Sequence, residues 1–224
     1  MKRTLFPLLL LAVGSTAFGQ LYFGGGVGYY FAESDTSVAK LLGGGDPDLD
    51  DVAGVIADVG YKMPSNGWHF ELEFQFFEPS SSDSFQASGA QAAAITGANL
   101  GNGVYSTRND VTNYTLTANV YYDILATMET NWGIYVGGGL GSNYLNQDVT
   151  VTGPGGSVSD EEHAWLFTYQ LLGGISYMPV DHIRFDLAYR YTVPEDGNFV
   201  LFDQNVRVKN YEFQSIEFSA SFMF

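Results

Sequence analysis

Residues 182–192, HIRFDLAYRYT, alternate between apolar and polar positions. In an extended strand successive side chains point to opposite sides. Ile183, Phe185, Leu187, Tyr189 and Tyr191 therefore share one face, and Arg184, Asp186, Ala188 and Arg190 the other. The same two-residue period runs through 21–31, 52–63, 68–77, 111–124, 131–144, 164–177 and 206–224. With 182–191 these predict eight strands, each about the length that a tilted membrane strand needs. The only helix-compatible piece is QASGAQAAAIT (86–96), and it falls within a connection.

Such alternation has two solutions. A soluble sandwich turns the apolar face inward, and a membrane barrel turns it toward lipid. Three patterns favour the barrel. The connections after the second, fourth and sixth segments are short (PSNG, LATMET and MPVD), whereas the others are long and polar. Short turns at one end and long loops at the other are the arrangement of outer-membrane barrels. Aromatics gather at both ends of the apolar face. Tyr61, Trp68, Tyr122, Trp132 and Tyr177 lie near the short turns, and Tyr29, Phe76, Tyr114, Trp165 and Tyr189 near the long loops. Amphipathic rings of this kind seat at bilayer interfaces. The opposite parity is small or polar, as in Gly24, Gly26 and Gly28, or Asn113, Thr115, Thr117 and Asn119. Side chains of this size fill the interior of a small barrel. The expected fold is all-β: an eight-stranded, antiparallel, up-and-down transmembrane β-barrel.

Composition narrows the class further. The formal charge of -16 argues against nucleic acid, which needs a basic surface. With no cysteine there is neither a disulfide framework nor a thiolate metal site, and no cofactor is expected. MKR followed by LFPLLLLAV and AFG reads as a signal peptide over residues 1–19, with the barrel domain spanning 20–224. Beyond it no apolar run is long enough for a transmembrane helix. An exported chain with this alternation is expected in the outer membrane of a Gram-negative bacterium.

The terminal SIEFSASFMF places Ile216, Phe218, Ala220, Phe222 and Phe224 on one parity. It resembles the closing strand of outer-membrane barrels that the assembly machinery reads, with Phe218, Phe222 and Phe224 as the signal. GIYVGGGLGSNY and LLGGISYMPVDHIRFDLAYRYT resemble the fifth strand and the sixth-to-seventh hairpin of the OmpA-like, opacity-type barrel family. The resemblance implies an ion-pair network that plugs or gates the lumen. It also implies outer-membrane lipid or lipopolysaccharide as surroundings, and host or cell-surface ligands as further partners.

Candidate chemistry lies on the inward parity. Asp58, Glu71, Glu73, Arg184, Asp186, Arg190 and Glu217 are expected to form a lumen ion-pair network, with Lys62 and Asp123 on the same parity. A charge enclosed in a barrel is costly unless paired or wet. Glu217, Glu71 and Glu73 are the expected partners of Arg184 and Arg190. Acids outnumber bases in this set, so any conductance would favour cations. Asp46, Asp48 and Asp50 have the spacing of a calcium loop, but Asp51 and Ala57 stand where Gly and Glu are required, so no metal is assigned. The three histidines, His69, His163 and His182, lack the His-x-Ser pair of barrel lipid hydrolases. The function expected is a structural or surface-interaction role through long acidic extracellular loops, in envelope integrity or adhesion. The alternatives are a narrow, cation-preferring, porin-like channel and a barrel lipid hydrolase that uses His69 with Glu71.

Overall fold

The computed structural model describes residues 19–33, 49–63, 66–125, 130–208 and 211–224. Three strands open the chain: β1 (Gln20–Glu33), β2 (Val52–Lys62) and β3 (Trp68–Phe77). The next stretch holds β4 (Ser80–Ala87), helix α1 (Gly89–Thr96) and β5 (Gly103–Asp123). Two long strands follow, β6 (Trp132–Gly153) and β7 (Gly156–Val180), then β8 (Ile183–Pro194). A small hairpin of β9 (Gly197–Leu201) and β10 (Gln204–Val208) precedes the last strand, β11 (Glu212–Met223).

Eight of these strands close a ring, in the order β1-β2-β3-β5-β6-β7-β8-β11, with every pairing antiparallel. β11 returns to β1, with Phe222 beside Phe23 and Phe218 beside Val27. Closure leaves the ring without a free edge, which a β structure in lipid requires. The ring is filled, so alternation sorts side chains between its interior and its surroundings. On β8, Arg184, Asp186, Ala188 and Arg190 are buried inside, whereas Ile183, Phe185, Leu187 and Tyr189 are exposed. An apolar band of this kind around a whole barrel belongs against acyl chains.

Two rows of rings bound the band. Phe76, Tyr114, Tyr144 and Trp165 adjoin across β3, β5, β6 and β7, with centroids 5.0, 6.0 and 5.0 Å apart. At the other end Trp68 meets Tyr122 at 5.1 Å and Trp132 meets Tyr177 at 4.6 Å. The rows are separated by 8 residues on β5 (Tyr114 to Tyr122) and 12 on β7 (Trp165 to Tyr177). At a rise of about 3.3 Å per residue and a tilt of about 40°, that is about 20–30 Å of height, the thickness of an outer-membrane apolar band.

Four boundaries differ from the alternation of apolar residues. The fourth segment begins at Gly103 rather than 111, the fifth runs to Gly153 rather than 144, and the sixth begins at Gly156 rather than 164. The expected long loop between the last two is therefore a hairpin closed at Pro154-Gly155. The backbone alternation persists there, but the outward residues turn from apolar to Ser, Thr and Asp once the strands leave the lipid band. The eighth segment, expected from 206, divides into β10 and β11, because β10 folds back on β9 instead of joining the ring. The helix-compatible piece does form α1, started by a capping box between Ser88 and Gln91 and stopped at Gly97 with φ 73°.

One close approach fixes the width of the wall. The ring of Tyr30 lies over Gly54, where an added Cβ would sit 2.7 Å from the Tyr30 ring and 2.8 Å from Phe77 Cβ. Gly54→Val is expected to overpack this layer and to cost about 1–3 kcal/mol. A lowered urea midpoint of the folded barrel in detergent checks it, and an unchanged midpoint would contradict this packing.

Candidate functional site in the barrel interior

The interior is built in layers. Nearest the long-loop end, Tyr30, Phe77, Leu145, Leu166, Phe199 and Phe213 form an apolar cluster, with Tyr30 stacked on Phe77 at 4.1 Å. β9 contributes Phe199 to it, fully buried, so the small hairpin caps the lumen from within. Beneath lies a layer of amides and hydroxyls. Asn143 donates to Asn113 and Thr115 at 2.9 and 2.7 Å, and Gln170 donates to Thr117 and Asn119 at 3.0 and 2.6 Å. The first pair of bonds joins the neighbouring strands β5 and β6, and the second spans β6 to join β7 with β5, which the tight curvature of an eight-stranded ring brings within reach.

The charged layer follows. Arg190 Nε and Nη2 donate to the two carboxylate oxygens of Glu217, both at 2.9 Å, and Nη2 also reaches Glu73. Gln75 donates to Glu73 and Ser215 to Glu217, each at 2.7 Å. All three charged residues are fully buried. Lower down, Arg184 donates to Asp186 at 2.6 and 2.9 Å and to His69 Nδ1 at 3.2 Å, and its guanidinium lies 5.1 Å from the centre of the Tyr135 ring. Lys62 and Asp123 approach within 4.0 Å at the short-turn mouth.

Of the seven residues expected to form one network, the structure joins Glu73, Arg190 and Glu217, and separately Arg184 and Asp186. Glu71 meets neither arginine as a hydrogen-bond partner. It accepts from Tyr22 at 3.0 Å, from Tyr121 and from Asn119 at 3.3 Å. Asp58 turns toward the same space, and its Oδ1 has no hydrogen-bond donor. Five carboxylates and two guanidiniums thus line one internal cavity of about 40 Å³. A space of that size holds about three waters at most.

Three interior partners are not singled out by the sequence: Tyr22, Tyr121 and Tyr135. All are aromatic in a chain where aromatics mark the lipid face, yet their parity matches that of Gly24, Asn119 and Gly133. Parity is the signal available, and residue type masks it. Trp68, Tyr122, Trp132, Trp165 and Tyr177 are exposed on the outside and Tyr61 is half-buried there. Phe218, Phe222 and Phe224 also point outward, and Phe222 and Phe224 pack on Phe23 across the closing seam at 6.1 and 5.7 Å. Asp46 and Asp48 lie outside the described residues, and Asp50 accepts a hydrogen bond from Ser80 at 3.2 Å.

A closed antiparallel barrel with a lipid-facing exterior and a packed polar lumen defines an integral outer-membrane protein. The chain belongs to the outer membrane protein beta-barrel domain family, whose model matches residues 5–224. It is accordingly a protein of the outer membrane of Gram-negative bacteria. Uncharacterized proteins of Brucella abortus, Brucella suis and Brucella melitensis are 28% identical over 109 residues, which is 46% of this chain and 38% of theirs. The chain thus spans well under half the length of these relatives. Among solved structures, OprG of Pseudomonas aeruginosa superposes with a TM-score of 0.56 at 16% identity, over 93% of this chain and 97% of that one. Neisserial surface protein A gives 0.55 at 16% identity, over 92% and 99%. A major outer membrane protein of Thermus thermophilus gives 0.51 at 12% identity, over 91% and 99%. At these identities the likeness is one of fold.

Proposed function

We propose that this barrel is a closed membrane anchor whose role, in envelope integrity or adhesion, is carried by the segments at its long-loop end. The observation that carries the reading is the filled lumen: an apolar layer, an amide layer and a charged layer in series, with a cavity of about 40 Å³ as its internal space. A hydrated ion needs a continuous wet path, and an apolar layer across that path opposes it. The long-loop end is built rather than merely long. β5, β6 and β7 project past the aromatic row, and α1 packs there through Ala92 against a second apolar cluster with Leu100, Tyr105, Val149, Val151 and Leu201. Acidic residues such as Asp148, Glu161, Glu195 and Asp196 are exposed at this end.

A non-enzymatic role fits the surroundings of His69. It is 1% exposed inside the barrel, with Nδ1 engaged by Arg184, out of reach of a lipid substrate. The beginning of β1 at Gln20 suits a mature domain that starts at that residue. N-terminal sequencing of protein taken from the outer-membrane fraction tests that boundary. The exposed Phe218, Phe222 and Phe224 suit recognition of the last strand by the assembly machinery.

Single-channel recording in planar bilayers tests the closed lumen. We expect no steps above the lipid baseline. Reproducible cation-selective steps would make the narrow channel the correct reading.

A further inference from the structure

Between β8 and β11 the chain leaves the ring. Among the described residues β9 and β10 pair with each other alone, in a two-stranded sheet that shares no ladder with the large one. A hairpin of that size is marginal by itself. Side chains supply its hold on the barrel. Phe199 enters the apolar layer at the lumen mouth, and Leu201 and Phe202 pack on the second cluster with Tyr105, Val149 and Val151.

The turn of this hairpin is built against its own residues. Leu201 pairs with Gln204, so the loop is Phe202 and Asp203, with φ of 51° and 59°. Two central residues in the left-handed region make a type I′ turn, which suits the twist of the strands and favours Asn-Gly. Here a bulky Phe precedes Asp, and a Cβ crowds the backbone in that region, least for Asp and Asn. Such a conformation persists only where surrounding contacts hold it.

The holding contact comes from β7. On this strand the amide of Met178 donates to Asn131 on the β6 side, and the carbonyl of Phe167 accepts from Glu195 on the β8 side at 2.8 Å. Backbone groups alternate between the two sides of an antiparallel strand, so those of Glu161 face the β8 side. At that height β8 has ended, and among the described residues no ladder continues on this edge. The Asp160 carboxylate takes the donors found there: Oδ1 accepts from Glu161 N at 3.1 Å, and Oδ2 accepts from Phe202 N. One side chain thus covers the edge of β7 and pins the tip of the hairpin to it. Bonds from a backbone N–H to a carboxylate are among the stronger ones.

We propose that the β9–β10 hairpin is a hinged cap on the lumen mouth and that Asp160 is its latch. The cap opens as a unit about Glu195 and Asp196 while the eight-stranded ring stays closed, which withdraws Phe199 and presents Tyr30, Phe77, Leu145, Leu166 and Phe213 to the outside. The turn opposes closure and the latch enforces it, so the cap is a separately openable part of the fold. The proposal rests on the reading of a filled lumen and names what controls access to its outermost layer.

Amide hydrogen exchange of the full chain, folded in detergent micelles and read by peptide mass spectrometry, tests it. Asp160→Ala should speed exchange over 197–204 about tenfold, the effect of one lost hydrogen bond to a charged group, and leave peptides of β5, β6 and β11 as in the parent. Asp160→Asn keeps a neutral acceptor and should fall between. Asp203→Gly relaxes the turn and should slow the same segment about threefold. The shift in gel mobility on heating reports that each variant is folded. If Asp160→Ala does not fold, the other two variants carry the test, with opposite signs expected. Unchanged exchange in the hairpin of folded Asp160 variants would overturn the latch. So would an equal rise along β6 and β7, which would make Asp160 a general support of the sheet. Faster exchange in Asp203→Gly would overturn the opposition between turn and latch. Steps in the bilayer recording of the parent would refute only the filled-lumen reading, because exchange is measured independently of conductance.

Discussion

Replacing Arg190 by Met is expected to destabilise the barrel by about 3–5 kcal/mol, the effect of stranding a buried charge partner. Arg190 is held between Glu73 and Glu217, and the three side chains are 4–5% exposed, so solvent screens little of the interaction. Met fills much of the space of the guanidinium stem but leaves two carboxylates facing each other in a cavity lined by three further acids. The urea midpoint of the folded, heat-modifiable form in detergent reads the effect. A control separates pairing from packing. Arg190→Met combined with Glu73→Gln and Glu217→Gln removes the stranded charges, and it should recover most of the loss, because a neutral layer of similar volume is often no worse than the ion cluster it replaces. A single variant that loses less than about 1 kcal/mol would show the cluster to be hydrated and weakly coupled.

Leu187→Arg is the second large effect. Leu187 is on the outward face of β8, 47% exposed, between Phe185 and Tyr189. Within the lipid band an arginine there should cost about 2–4 kcal/mol, falling toward zero near the interfaces. Ser159→Arg, on the outward face of β7 beyond the aromatic row, should change stability by no more than about 0.5 kcal/mol. The contrast makes this a measurement of membrane depth and not of charge alone. Reversible unfolding in lipid vesicles reads both. Equal, small effects at the two positions would mean that the Leu187 face is not buried in hydrocarbon, and the orientation of every strand would have to be reversed.

Much of this organisation is legible in the chain. Strict alternation at 182–191 divides Arg184, Asp186 and Arg190 from Ile183, Phe185 and Leu187, and the same division holds around the ring. Strand ends are harder to read. At Asp110, Asp148 and Glu161 the outward positions become polar while the backbone remains paired. A reading that follows apolar side chains stops where the lipid stops, some eight to nine residues before the strands do. Interior tyrosines are hidden for a related reason. Tyr22 and Tyr121 are aromatic like the lipid-facing set, and only their hydrogen bonds to Glu71 show what they do.

By itself, then, the sequence determined which side chains face lipid and which share the lumen, because a period of two residues is a local property of an extended chain. It also marked where the apolar outward face ends, at Tyr114, Tyr144 and Trp165, although not that the strands continue beyond it. Which carboxylate answers which arginine was decided only by the closed ring. Arg190 stands beside Ser215 in the register, so it reaches Glu217 diagonally on the neighbouring strand, and it reaches Glu73 across the lumen from β3, 117 positions away. The stagger of eight strands around a closed barrel sets those distances, and no single strand carries that stagger.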